Sequence, residues 1–269
     1  MKVRRIAGAL GAEVEGVDLG NPTKDLVASI RAAWLEHLVL FFHDQPLTLD
    51  QYMGFAQQLG EPVEYPMVPG LVGYPKVIEV KKLEHERVNF GGIWHTDTAY
   101  LESPPIGSML LAREVPPFGG DTLFSNMYLA FDSLSAGLKN LLIDLKAVNS
   151  SDKADASKTR EDRIGSAERK IFSAEHPVVR THPETGRKAL YVNSGHTVRF
   201  AGMTEQESAP LLEYLYRHLQ RPEFTCRFTW RVGSIALWDN RCAQHNPIND
   251  YHGYRRVMHR ITLAGDVPA

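Results

Sequence analysis

The chain has 269 residues, 43% of them hydrophobic and 23% charged, with a net charge of −2 and two cysteines. That length suits one catalytic-sized domain spanning residues 1–269, and the near-neutral balance argues against a general nucleic-acid or membrane-surface binder. Cys226 and Cys242 are too few for a disulfide framework and read as core thiols in a reducing compartment; residues 1–7 are basic but run into Glu13, Glu15 and Asp18 rather than an apolar stretch, so cytoplasmic residence is expected.

Short β-like runs dominate the chain: residues 2–6, 39–42, 77–80, 108–112, 122–125, 178–181, 189–192, 225–231, 234–238 and 257–263. Turn residues such as Gly119-Gly120-Asp121, Pro183-Glu184-Thr185-Gly186 and Val232-Gly233 separate them, which is the pattern of a barrel or sandwich. Helices decorate it. Residues 24–37 place Leu26, Val27, Ile30, Ala33 and Trp34 at helical spacing, and 49–59 follows Thr48 as N-cap and stops before Gly60. Thr204 with Glu207 forms a capping box for a third helix, reaching about residue 220. Between about residues 150 and 175 the composition turns polar, which predicts a lid or a solvated excursion.

Two clusters carry chemistry. In Asn89-Phe90-Gly91-Gly92-Ile93-Trp94-His95-Thr96-Asp97, the glycines let a loop approach a ligand, and a His-x-Asp pair on an extended segment points both side chains to one face. Trp94, Thr96 and Thr98 then face away. A remote histidine completes two imidazoles and a carboxylate, the facial triad of non-haem Fe(II) oxygenases. The competing expectation is a surface ion pair on a strand edge.

The second cluster is Trp238-Asp239-Asn240-Arg241-Cys242-Ala243-Gln244-His245, followed by Arg255-Arg256-Val257-Met258-His259-Arg260-Ile261. His245 and His259 compete as the third ligand. On a strand, Arg256, Met258 and Arg260 share one face and His259 the other, which favours His245. Two inward arginines are costly unless anions neutralise them, so they call for two carboxylate-like groups, or for an internal acid such as Asp239 as partner of Arg260.

Trp94-His95-Thr96-Asp97, Gly119-Gly120-Asp121-Thr122, the segment from His176 to Pro183, Trp238-Asp239-Asn240-Arg241 with His245, and the arginine strand together resemble the taurine dioxygenase (TauD/TfdA) family over nearly the whole chain. These are Fe(II)- and 2-oxoglutarate-dependent oxygenases that include alkylsulfatases and aryloxyalkanoate dioxygenases. The resemblance implies a mainly β fold with flanking helices, built on a double-stranded β-helix (jelly-roll, cupin-like) core. It implies Fe(II) on His95, Asp97 and His245, with 2-oxoglutarate chelating the metal and its distal carboxylate on Thr122 and Arg256. O2 is then consumed, succinate and CO2 leave, and a small anionic organic substrate is hydroxylated.

By the same resemblance Arg260 grips the acid group of the substrate. Tyr65 stands where the taurine enzyme has a sulfonate-binding histidine, and His196 stands where it has an aromatic hydrophobe, so taurine itself is a poor expectation. Sulfonates, sulfate esters, aryloxyalkanoates and carboxylates stay open as substrates, and the family's habit of self-association extends the expectation to a homo-oligomer, dimer or tetramer. The rival class is a Zn(II)-binding β-barrel hydrolase or small-acid binding module, since two histidines and a carboxylate also suit zinc.

Overall fold

The computed structural model describes residues 1–153 and 170–269. The expected lid therefore falls largely outside the described residues; its flanks are two paired strands, β8 (Lys146–Ser150) and β9 (Ser173–Pro177).

The fold is mainly β, a cupin-like jelly roll with helices laid on its outside. Its largest sheet runs β1 (Lys2–Arg5), β2 (Ala12–Glu15), β3 (Val39–Phe42), β14 (Ile235–Asp239), β6 (Gly107–Glu114), β16 (Arg256–Leu263) and β4 (Pro62–Val63), with β5 (Val77–Lys82) also on β16. A three-stranded sheet, β13 (Thr225–Phe228), β7 (Thr122–Asn126) and β15 (Ala243–Pro247), carries the opposing wall. A second, β12 (Thr197–Phe200) with β8 and β9, and a pair, β10 (Val179–Thr181) with β11 (Lys188–Leu190), complete the strands described.

Why the central strands read as unbroken apolar runs is visible in their neighbours. Val39 and Phe41 join a core with Phe124, Ala236, Trp238 and Met258 between the sheets, whereas Leu40 and Phe42 join Met109, Leu111, Ile235, Leu237 and Ile261 in a second core. That second core is closed by α1 (Lys24–His37) through Ile30 and Trp34, and by α2 (Leu49–Leu59) through Tyr52 and Phe55. A strand buried on both faces has no polar side to display.

The helix starts follow local chemistry. Thr48 and Gln51 make a reciprocal capping box for α2, and Thr204 and Glu207 do the same for α5 (Glu205–Leu219), satisfying amide donors that the helix itself leaves unpaired. Both cysteines are free and buried as expected. Burial pushes the Cys226 thiol up to about 12 and holds Cys242 well above its ordinary range.

Sheet and helix layers meet most tightly at Gly107, which starts β6. A Cβ there would lie 2.4 Å from the Trp34 ring and 2.8 Å from the Trp238 carbonyl oxygen. Neither neighbour has room to retreat, because both tryptophans are fully buried. Gly107→Ala is predicted to lower stability by about 1–3 kcal/mol, the usual range for overpacking. Urea denaturation measures it; an unchanged midpoint would show that the α1 layer yields.

Candidate active site

His95 and Asp97 do not lie on an alternating strand, which corrects the expectation from spacing. His95 forms an isolated antiparallel bridge with His245: its amide donates to the His245 carbonyl at 3.1 Å, and the return bond is 3.0 Å. Asp97 already belongs to a turn, and Thr98 follows at φ 43°, a strained value for a β-branched residue. Thr98 consequently lines the cavity instead of facing away from it. The two donors converge because of the bridge and the turn, and β15 brings His245 through its pairing with β7.

The donor set is buried and pre-oriented. The His95 Nδ1 sits 2.7 Å from the Ile93 carbonyl, which can only accept, so Nδ1 is the donor there and Nε2 is the nitrogen turned toward Asp97. His95 Nε2 lies 3.6 Å from Asp97 Oδ1, and the ligand atoms of His95, Asp97 and His245 all fall within 4.8 Å of one another. Gly91 and Gly195 crowd the His95 side chain, a Cβ on Gly195 lying 2.8 Å from the His95 Cβ. The surface ion pair is excluded by burial, Asp97 being 2% exposed.

Asp97 is fixed by partners from distant strands. Ser108 Oγ donates to Oδ2 at 2.7 Å, and Arg260 Nη1 donates to Oδ1 at 3.1 Å. Asn240 accepts from the Asp97 amide and donates to Ser108 Oγ at 3.1 Å, while its own oxygen is held by the Trp238 indole at 3.0 Å. Burial by itself would raise the Asp97 pKa, but the Arg260 guanidinium and then His245 and His95 bring it well below the ordinary value. Burial, followed by the charges of His95 and Arg260, depresses His245 well below its ordinary value. An ionised carboxylate and neutral imidazoles are the protonation states a metal requires.

The arginine strand behaves as its alternation predicts. Arg256 and Arg260 are buried on the face toward His95 and His245, whereas Arg255 pairs with Glu114 outside and His259 accepts from Arg113 at 3.0 Å. His245, not His259, is therefore the third donor of the cluster. Asp239 is not the partner of Arg260, because both of its oxygens bond Arg241.

Arg256 Nε and Nη2, and Arg260 Nε and Nη2, are buried with no hydrogen-bond partner among the described residues. Thr122 Oγ1 accepts from the Trp230 indole at 3.0 Å, which turns its own hydrogen outward, and it shares a cavity with Arg256, His95 and His245.

Beside this lies a larger cavity of about 300 Å³, lined by the metal-side residues, Arg260, Tyr65, His196 and an apolar wall that includes Met67, Val88 and Ile93. The Arg260 guanidinium stacks 4.4 Å over the Tyr65 ring. His196 is buried, not on the surface; burial and then the charge of His95 push it down to about 3, so it is a neutral imidazole near neutral pH.

A family model described as "Taurine catabolism dioxygenase TauD, TfdA family" matches residues 2–262. The chain belongs to the TauD/TfdA family. An alpha-ketoglutarate-dependent sulfate ester dioxygenase from Pseudomonas putida is 38% identical over 283 residues, covering 100% of this chain and 91% of that protein. A taurine dioxygenase structure from Burkholderia xenovorans superposes with TM-score 0.85 at 37% identity, covering 100% of this chain and 92% of that one. The structure of AAD-2 in complex with Mn(II) and N-oxalylglycine superposes with TM-score 0.81 at 30% identity, covering 99% of this chain and 98% of that one.

The TauD/TfdA chain is thus an Fe(II)- and 2-oxoglutarate-dependent dioxygenase, with O2 as its oxidant. The residues fit the metal: two buried imidazoles and one carboxylate, with a ring nitrogen of His245 left unpartnered, form the donor set of the facial triad. A second cluster, His182, Asp239 and Cys242, has the same span, but its carboxylate is committed to Arg241 and His182.

Ser108, Asn240 and Trp230 were not singled out from sequence for the roles they play here. Asn240 lay within the motif Trp238-Asp239-Asn240-Arg241, but nothing local marked Ser108 or Trp230. Removing a group that orients a ligating carboxylate typically weakens metal affinity about 10–100-fold. Ser108→Ala is predicted to do so for Mn(II), read by calorimetry with the fold checked by circular dichroism; unchanged affinity would mean that Arg260 and the backbone orient Asp97 unaided.

Proposed function

We propose that this dioxygenase hydroxylates a small organic acid carrying its anionic group on an alkyl or aryl body, with sulfate esters foremost and sulfonates, aryloxyalkanoates and carboxylates in the same class. The observation that carries the reading is Arg260, buried between the metal-side residues and the larger cavity with two donors unpartnered. A guanidinium so placed suits bidentate capture of an oxyanion. Met67, Val88, Phe90 and Ile93 offer an apolar wall to the rest of the molecule. Resemblance to a sulfate ester dioxygenase across the whole chain supports the order of preference.

His95, Asp97 and His245 hold Fe(II), and Thr122 and Arg256 take the distal carboxylate of 2-oxoglutarate, its keto-acid end lying toward the metal. When bound, the ferrous ion couples O2 reduction and decarboxylation of 2-oxoglutarate to hydroxylation of a substrate C–H bond, releasing succinate and CO2. The chain's contribution is positional. Arg260 fixes the acid, Tyr65 stacks under that guanidinium, and the neutral His196 offers a hydrogen-bonding ring rather than a second positive charge. Capturing both ends of each ligand in a cavity with an apolar wall sets the reacting carbon with little freedom left to lose.

With a sulfate ester, hydroxylation of the carbon bearing the ester oxygen gives an unstable product. Its C–O bond to sulfate breaks, the hydroxyl proton is lost, and an aldehyde and inorganic sulfate remain. The zinc hydrolase and the small-acid binding module are not favoured, because the family match and the relatives along the whole chain are 2-oxoglutarate-dependent dioxygenases.

Succinate release should depend on 2-oxoglutarate and rise when an alkyl sulfate is added, with oxygen uptake in step and aldehyde appearing. Arg256→Ala is predicted to raise the 2-oxoglutarate KM by about tenfold or more, the weight of a lost charge-assisted clamp, and Arg256→Lys to restore it only in part. Stimulation by none of the four acid classes would remove the substrate assignment, and an unaltered KM would move the clamp away from Arg256.

A further inference from the structure

Arg256 is not alone at its end of the barrel. In the register of β5 against β16, Lys82 lies opposite Arg256, Val80 opposite Met258 and Ile78 opposite Arg260. Opposed residues of an antiparallel ladder project to the same face. Val80 and Arg256 both line the cavity next to His95 and His245, so Lys82 belongs to that inward face as well.

Lys82 is 2% exposed, and its Nζ has no hydrogen-bond partner among the described residues; it rests 4.3 Å over the Tyr251 ring. Lys82, Tyr251 and Arg256 line a narrow cavity of about 10 Å³, space for one water-sized group. Phe90, Pro247 and Arg256 line both this space and the cavity beside His95 and His245, so the two adjoin at Arg256.

We propose that Lys82 is a second cation for the distal carboxylate of 2-oxoglutarate, placed beside Arg256; the proposal rests on the reading that Arg256 holds that carboxylate. Two like charges, both desolvated and both with unpartnered donors, are an unstable arrangement unless an anion lies near them. Of the neighbouring acids, Asp121 commits Oδ2 to Arg227 and Thr229 and acts on Arg256 only as a nearby charge, its Oδ1 having no hydrogen-bond partner among the described residues, and Glu86 accepts from the Leu83 amide.

Burial lowers both cations from their ordinary values, only opposed by Glu86 for Lys82, and by Tyr251 and Asp121 for Arg256. A carboxylate between them reverses that loss. Thr122 then donates from one side, the guanidinium clamps, and the ammonium contributes a point charge that does not depend on the same geometry.

The test separates the distal carboxylate from the rest of the cosubstrate. Fe(II)-loaded protein is titrated anaerobically by calorimetry with 2-oxoglutarate and with 2-oxobutyrate, which lacks the distal carboxylate. Lys82→Met is expected to weaken 2-oxoglutarate binding about tenfold, as for one charge-assisted hydrogen bond, and to leave 2-oxobutyrate binding unchanged. Lys82→Arg retains most of the affinity, and Lys82→Gln serves if the Met variant does not fold.

A merely structural lysine weakens both ligands alike, which overturns the proposal. Parent-like 2-oxoglutarate affinity in Lys82→Met, with affinity lost in Arg256→Ala, also overturns it while sparing the Arg256 reading. Parent-like affinity in both variants removes the Arg256 reading itself.

Discussion

Burying two guanidiniums on one face of a single strand is the constraint from which the rest of this site follows. Each cation taken out of water carries a penalty of several kcal/mol that only an anion with good geometry offsets. β16 faces Arg256 and Arg260 inward together; among the described residues Asp97 bonds Arg260 directly at 3.1 Å, whereas Asp121 acts on Arg256 only as a nearby charge. Arg256 has Trp230 at 5.5 Å across its plane and no direct acidic partner among its hydrogen bonds. The proposed seating of the 2-oxoglutarate carboxylate on Arg256 supplies the anion that this arrangement calls for.

The asymmetry between the two arginines has a consequence for the metal ligands. Asp97 belongs to the His95, Asp97 and His245 donor set and is also the counter-ion of Arg260, with Ser108 on its other oxygen. Whatever occupies Arg260 therefore reaches the carboxylate directly. On the proposed reading, substrate acid and metal share Asp97 between them, which links occupation of the acid site to the orientation of that carboxylate. The backbone bridge between His95 and His245 keeps the imidazoles paired irrespective of that exchange.

The sequence made some of this legible and left some hidden, for identifiable reasons. The N-cap at Thr48 and the capping box at Thr204 are local and legible, while the reciprocal bond from Gln51 at Thr48 emerges only in the structure. The apolar central strands are legible too, β6 and β16 extending past the expected 108–112 and 257–263, whereas β13 ends at Phe228, short of the expected 225–231. β15 was missed as a strand because Ala-Gln-His-Asn-Pro has little intrinsic β preference; pairing with β7 imposes the conformation from outside. α3 (Met127–Asp132) was missed because it starts directly where β7 stops, at Asn126, whose side chain caps it.

Spacing alone picks out the donors at 95 and 97, but a turn at Thr98 and not an alternating strand aims Asp97. Ser108 and Asn240 were invisible as supports because their partners are set by tertiary contact alone.

Residue chemistry around the substrate cavity narrows what departs from the taurine-type pattern. A histidine at an anion site contributes most when protonated, yet His196 is held neutral by burial and by His95. Tyr65 offers a ring to Arg260 and no formal charge. On the proposed reading, both departures reduce positive charge around the acid rather than add to it, and Arg260 recognises the anion by geometry. A single planar fork discriminates poorly among sulfate, sulfonate and carboxylate, all of which present paired oxygens. Selection among such acids must then come mainly from the body of the molecule, where Met67, Val88, Phe90 and Ile93 reward apolar area without demanding one shape.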